Sequence, residues 1–308
     1  MIDLNIDLPE GFLDEEVRSG YTVTAERKKL WAVELDLWAQ FDSVCRKHNL
    51  KYCVGAGTML GAVRHHGFIP WDDDMDLYML REDYDKLMQL ADEFPEPYFL
   101  QNSRTEPKRL YLFARLRNSR TTGALSYEFD ADPSVCKGIF IDIFPLDGIS
   151  PDKAADAKQR KNNETARRRI WRFNSAKSSV ERKTMIGKFK RVLRKTQVLL
   201  FYNDPKKLFR TYDNNLKKYS TPDAELVGNR TLVFDCPKSR RPVKDYTDLV
   251  YMPFEFVQVP VPRAYDSMLR QQYGNYMQIP EDKNGAVHGD ILVSTDNTFD
   301  QLRRNRNI

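Results

Sequence analysis

Apolar residues recur at near-helical spacing from residue 24 to 48. Leu30, Leu37, Trp38, Phe41, Val44 and Cys45 share a face, Thr24 can cap the start and Asn49 suits the end. "LKYCVG" then reads as a short strand stopping at Gly55, and "TMLGAVRHH" as a helix that follows the Gly-Ala-Gly turn. Pro70 disfavours helix in the residue before it, so "FIPW" is a break. "DMDLYML" alternates acid and apolar groups as a strand does, and "REDYDKLMQLADEF" returns to helix. "KGIFIDIFPLDG" is a strand of β-branched and aromatic residues, ended by Pro145 and Gly148. From Pro151 two helix-like, cationic stretches follow, "AADAKQRKNNETARRRIWRF" and "RKTMIGKFKRVLRKTQVLLF", with a further helix from Asp204 to Tyr219. After Thr221 the chain resumes strand-like pieces ("LVYMPFEFVQVPVP") and one more helix, "RAYDSMLRQQYG". The order predicts an α+β protein: a catalytic core in residues 1–150, a basic helical insertion or lid in 151–220, and the rest of the core in 221–308.

Charge changes the picture of that middle block. Lys153 to Lys195 holds 16 Lys and Arg against three acids, a local +13; the overall +5 leaves −8 for the remainder. A uniformly basic nucleic-acid binder does not divide its charge this way, so no nucleic-acid partner is expected. The four cysteines are scattered without a CxxC pair, which argues against structural zinc and against a disulfide framework. The acidic N-terminus lacks the basic and apolar regions of a signal peptide, and no run of eighteen apolar residues occurs. The expectation is a soluble, cytoplasmic protein.

The chemistry concentrates in "GAGTMLGAVRHHGFIPWDDDMDLYM", where Asp72, Asp73, Asp74 and Asp76 fall within five positions. Such crowding needs a cation among the carboxylates. Leu77 and Asp83 argue against a calcium EF-hand, since they stand where that loop needs Gly and, normally, Glu. A solvated acidic turn fits the charges but not their apolar flanks, "GFIPW" and "LYML". If 74–80 is a strand, Asp74 and Asp76 converge on one face and form a hard oxygen site for Mg²⁺ or Mn²⁺. Asp142, alone in the apolar run "GIFIDIF", requires either a core arginine or a metal, because an unpaired acid there costs several kcal/mol. Beside the Asp74/Asp76 strand it completes a three-carboxylate set able to clamp a phosphoryl displacement. Gly55-Ala56-Gly57-Thr58, between strand and helix, lets backbone N–H groups approach a phosphate.

These segments resemble the LicD family of phosphotransferases, related to the fukutin group. The likeness is carried by "GTMLGAVRHHGFIPWDDDMDLYM", "KGIFIDIFPLDG" and "YDSMLRQQYGNYMQIPEDK", and covers roughly residues 25–150 and 225–290. It implies a nucleotidyltransferase-like mixed sheet flanked by helices, with the basic block as an insertion. It further implies that Gly57 and Thr58 face a phosphate, that Asp74 and Asp76 are paired metal ligands, and that Asp142 is the third carboxylate. The implied reaction is transfer of phosphocholine from CDP-choline to a cell-surface glycan or its lipid-linked precursor, with CMP released. Transfer of ribitol or glycerol phosphate from a CDP-alditol is the variant implied by the fukutin side. Nucleotidylyl transfer from a nucleoside triphosphate and a non-catalytic binding module are the rivals. No zinc is implied, since the zinc-binding cysteines of some animal relatives have no counterpart here.

The neighbouring residues stay open at this level. Arg64 either clamps a donor phosphate or pairs with Asp72 or Asp73. His65 and His66 either touch substrate or are solvated, His288 reaches the site only if the C-terminal region folds back, and Trp71 reads as packing. A choline ammonium needs an aromatic cage, and Tyr111, Tyr127 and Trp171 are available without any sign of which converge. The basic block, 153–195, suits an anionic membrane surface, a phosphorylated glycan, or simply solvent.

Overall fold

The computed structural model describes residues 3–129, 131–177, 204–231, 240–281, 283 and 291–306, with isolated positions between 189 and 200. Its centre is a seven-stranded mixed sheet built around β8 (Phe140–Gly148). On one side β8 pairs in parallel with β4 (Asp76–Leu80), which pairs antiparallel with β3 (Cys53–Val54). On the other side β8 has two antiparallel partners in succession. The first is β6 (Ala114–Asn118), itself paired with β5 (Tyr98–Gln101). The second is β9 (Leu226–Asn229), which carries β10 (Arg241–Pro242) at the edge. The chain beyond the basic block thus returns to the same sheet.

Pro145 does not end β8, contrary to the expectation from sequence; the strand runs through it to Gly148. The Asp142 N–H bonds to Met75 O on the β4 side, so odd-numbered N–H groups point to the opposite edge. There β6 stops at Ala114, opposite Ile143, and β9 begins opposite Leu146. Proline falls at the changeover, where no ladder bond is required of it.

Helix α1 (Ala25–Lys47) crosses behind the sheet, with Thr24 Oγ1 accepting from Arg27 N as its cap. It is less amphipathic than its sequence suggests: every residue from Leu30 to Trp38 is buried. The N-terminal segment covers its outer side, where Asn5 N–H donates to Asp36 and Phe12 lies edge-on to Phe256. Two hairpins and a strand pair lie outside the main sheet: β1 (Glu16–Arg18) with β2 (Tyr21–Val23), β11 (Leu249–Phe254) with β12 (Val257–Pro262), and β7 (Thr122–Leu125) with β13 (Ile291–Ser294). The helices α2 (Ala56–His65), α3 (Arg81–Leu87), α6 (Val243–Thr247), α7 (Tyr265–Tyr273) and α8 (Phe299–Arg306) complete the core region.

In the basic block α4 (Lys153–Lys177) packs against α5 (Pro205–Leu216) around a separate apolar cluster that includes Ile170, Phe173, Leu208 and Tyr212. The cationic run 182–201 lies largely outside the described residues. Among the described residues no helix is long and apolar enough to cross a membrane.

Candidate active site

The site begins where β3 turns into α2. Gly55 N–H donates to Asp76 O and Thr58 Oγ1 accepts from Asp76 N, which locks the head of α2 to the start of β4. Ala56 sits between the two glycines with φ of +40°, a conformation that costs a side-chain-bearing residue about 1–3 kcal/mol. Gly57 leaves room for Asp72: a Cβ there would lie 2.8 Å from Asp72 Oδ2, so the carboxylate reaches its place over the helix because position 57 is a glycine. The first N–H groups of α2 and its dipole therefore face a carboxylate loop.

The loop is held from below by one face of α1. Arg27 and Trp31 both donate to the Asp72 carbonyl, at 2.9 and 3.2 Å, and Arg27 lies 3.8 Å from Asp73 Oδ2. One turn further along the same face comes Glu34, fully buried, with Oε2 unpartnered among the described residues. Burial, then the charges of Asp74 and Asp73, hold its carboxyl well above the ordinary range. Asp72 is raised likewise by burial, then by Asp74, to which it is hydrogen-bonded, and by Asp73. Carboxylate oxygens of Asp72, Asp73 and Asp74 come within 4.8 Å of one another. Close oxygen donors over an orphaned buried acid fit a hard divalent cation such as Mg²⁺ or Mn²⁺.

The structure groups the expected carboxylates differently from the strand argument. β4 begins at Asp76, so Asp74 stands in the loop and joins Asp72 and Asp73. Asp76 is instead the in-register neighbour of Asp142 across the parallel β4–β8 pair, and Asp142 is in register with Arg115 on β6. Arg115, Asp142 and Asp76 thus form a row on one face of the sheet, each step about 4.8 Å. The core-arginine reading of Asp142 holds, since its Oδ1 accepts from Arg115 Nε at 2.7 Å, and the residue also lies beside Asp76. Arg115 and Arg117 are joined through Glu128 in a buried cluster, over the ring of Phe140.

Arg64 pairs with neither Asp72 nor Asp73. It donates to the carbonyl of Tyr276 at 2.7 Å and to His65 Nε2 at 2.9 Å, tying α2 to the segment after α7. The ion pair expected of it is supplied by Arg27. His65, edge-on to Trp71, has its pKa pulled down to about 4 by burial and by Arg64. His66 ends α2 in a left-handed conformation, and Trp71 is buried packing. His288 lies outside the described residues. Two neighbours escaped sequence reasoning: Glu34, and Tyr273 of α7, whose hydroxyl is pushed up by burial and by Asp76, Asp72 and Asp74. An acid inside a helix reads as solvent-facing, and nothing local marks a tyrosine as facing carboxylates.

Residues 49–165 match the family model described as LicD/FKTN/FKRP, nucleotidyltransferase domain. Over 264 residues the chain is 30% identical to the lipopolysaccharide cholinephosphotransferase LicD of Haemophilus influenzae, covering 82% of this chain and 92% of that one. The chain belongs to the LicD family. Shorter matches link it to uncharacterised proteins of Rickettsia prowazekii (48% over 50 residues, 16% of this chain and 19% of that one) and Rickettsia typhi (46% over 50 residues, 16% of each). The nucleotidyltransferase-like α+β fold expected of a LicD protein agrees with the mixed sheet seen here.

Proposed function

We propose that this protein transfers phosphocholine from CDP-choline to a hydroxyl of a cell-surface glycan or its lipid-linked precursor. One observation carries the reading: an acid set at the head of α2, beside a glycine turn, in a chain whose Haemophilus relative is named a lipopolysaccharide cholinephosphotransferase. A nucleoside diphosphate donor is polyanionic and would be repelled by four aspartates unless a cation lay between them. The same carboxylates that exclude a bare anion therefore select a metal-chelated one.

The acceptor oxygen attacks the phosphorus that bears choline. The P–O bond to the bridging oxygen breaks, the electron pair leaves with CMP, and the hydroxyl proton goes to a carboxylate. Asp72, Asp73 and Asp74 would hold Mg²⁺ or Mn²⁺ with Asp76 alongside, and such an ion supplies charge neutralisation to the diphosphate and to departing CMP. The N–H groups at the head of α2, through Gly57 and Thr58, receive donor phosphate oxygens. Asp142, oriented by Arg115, is assigned the acceptor's proton. Arg64 acts by fixing the segment around Tyr276 rather than by clamping a phosphate. Positioning and electrostatics supply most of the rate.

The test is a donor panel with Mg²⁺: CDP-choline, CDP-ribitol, CDP-glycerol and CTP, scored for CMP and for pyrophosphate, with lipopolysaccharide as acceptor. CMP released from CDP-choline, with choline phosphate on the acceptor, is the expected outcome. Pyrophosphate from CTP, or CMP from a CDP-alditol alone, would replace the reading.

A further inference from the structure

We infer that the cavity between α4 and the segment preceding β6 is the acceptor site, and that it takes an anionic saccharide. The cavity measures about 500 Å³, within the range of small-molecule sites. Its walls come from both modules: Arg109, Arg115, Tyr127 and Glu128 from the core, Arg167 and Trp171 from α4. The inference rests on the transfer reaction proposed above.

Its position follows from the row across the sheet. Gly55, Asp76, Asp142 and Arg115 succeed one another along neighbouring strands, and Arg115 is at once the partner of Asp142 and a wall of the cavity. The phosphate-facing turn is at one end of this row and the cavity at the other. An in-line displacement brings the nucleophile in opposite the leaving group. With donor phosphates at the α2 end, the acceptor hydroxyl arrives from the Arg115 end.

Its chemistry follows from the lining. Three of the charged side chains on the wall are guanidinium groups and one is a carboxylate. Glu128 is already engaged by Arg115 and Arg117. Arg109 makes no side-chain hydrogen bond or ion pair among the described residues; its guanidinium sits 5.4 Å from the ring centre of Tyr127. A cationic wall repels a choline ammonium and attracts phosphate or carboxylate. Tyr127 and Trp171 stand 57% and 59% exposed, offering flat apolar faces of the kind that sugar rings stack on. Together these select a sugar that carries an anionic group.

Trp171 supplies the assay. The other three tryptophans are buried at 5% exposure or less, so acrylamide quenching of intrinsic fluorescence reports Trp171 almost alone. Glucose 6-phosphate, glucuronate, glucose, inorganic phosphate, CMP and choline are each titrated against the full chain with Mg²⁺. Trp171→Ala identifies the quenched signal. Glucose 6-phosphate or glucuronate is expected to shield it saturably, the better of the two naming the anion. Arg109→Gln should weaken that shielding by about tenfold, with CDP-choline affinity by calorimetry unchanged. Shielding by neutral glucose as strong as by the charged sugars, shielding by CMP or choline in their place, shielding by phosphate alone, or none at all would overturn the assignment. CMP release from CDP-choline is followed in parallel. Its absence in the wild type sinks the transfer reaction itself, whereas CMP release without sugar shielding sinks only the cavity.

Discussion

Adding one methyl group at Gly57 separates the metal-binding role proposed for the acid loop from its role in the fold. A Cβ at that position would sit 2.8 Å from Asp72 Oδ2, and its next neighbour is Asp72 Cγ at 3.9 Å. Ordinary contact begins at 3.4 Å, so the Asp72 carboxylate must retreat by about 0.6 Å. The backbone around Gly57 meets nothing else and can stay in place. Metal–oxygen distances tolerate about 0.2 Å, so a retreat of that size removes Asp72 from any shared ion. The expected cost is at least about tenfold to a hundredfold in Mn²⁺ affinity. Stability should change little, because alanine in a helix gains about 0.5–1 kcal/mol over glycine and offsets the displaced side chain. Gly61→Ala is the contrast: its Cβ would lie 2.4 Å from the Gly67 carbonyl oxygen, a backbone atom that cannot swing away, so it should lose stability. Mn²⁺ titration by electron paramagnetic resonance, with urea unfolding of each variant, measures both quantities. A folded Gly57→Ala protein that binds Mn²⁺ as tightly as the wild type would refute the placement of the ion at Asp72.

Four further outcomes are expected. Asp74→Asn should reduce CMP release from CDP-choline by at least about a hundredfold while the unfolding midpoint holds. Ala56→Gly should stabilise the chain by about 1 kcal/mol in urea titrations, since it relieves the positive φ. Arg115→Met leaves Asp142 and Glu128 as buried acids short of a partner and should cost about 3–5 kcal/mol. For His65 the folded pKa is about 4 and the unfolded 6.5, so between these values the unfolded chain binds more protons and stability falls as pH falls. The shift would convert to about 3.4 kcal/mol for a fully buried ring; half-burial discounts it to about 1–2. Comparing unfolding of wild type and His65→Gln from pH 7.5 to 4.5 should show the wild type losing that much more.

How far the sequence discloses this site depends on whether a residue's meaning is local. The Gly55–Thr58 turn, the crowded aspartates and the lone Asp142 declare themselves because each breaks a local rule: glycines ahead of a helix, like charges in sequence, an acid in an apolar strand. Their grouping is not local. Strand periodicity paired Asp74 with Asp76, yet β4 starts two residues too late for that, and it is the register with β8 that gives Asp76 its neighbour. Arg115 and Arg117 alternate with Ala114 and Leu116, a pattern that reads as a strand with one solvated face, and only pairing with β8 reveals Arg115 as the partner of Asp142. Glu34 is the clearest case. Its spacing from Arg27 and Trp31 follows the helix, so all three lie on one face, but a face holding Arg and Glu reads as solvated unless the aspartate loop is known to lie across it. The same logic explains Arg64: two guanidinium groups compete for the acid loop, and the one on α1 wins because that helix packs directly beneath it. Packing of the aspartate loop across this face of α1 makes Glu34 an interior acid, and that contact joins residues more than forty positions apart. What makes the acid loop a site is therefore a tertiary fact layered on local signals, and it is open to disproof at Glu34. If Glu34→Gln binds Mn²⁺ unchanged, the buried carboxylate is only a packing residue, and the loop's three aspartates must hold the ion without it.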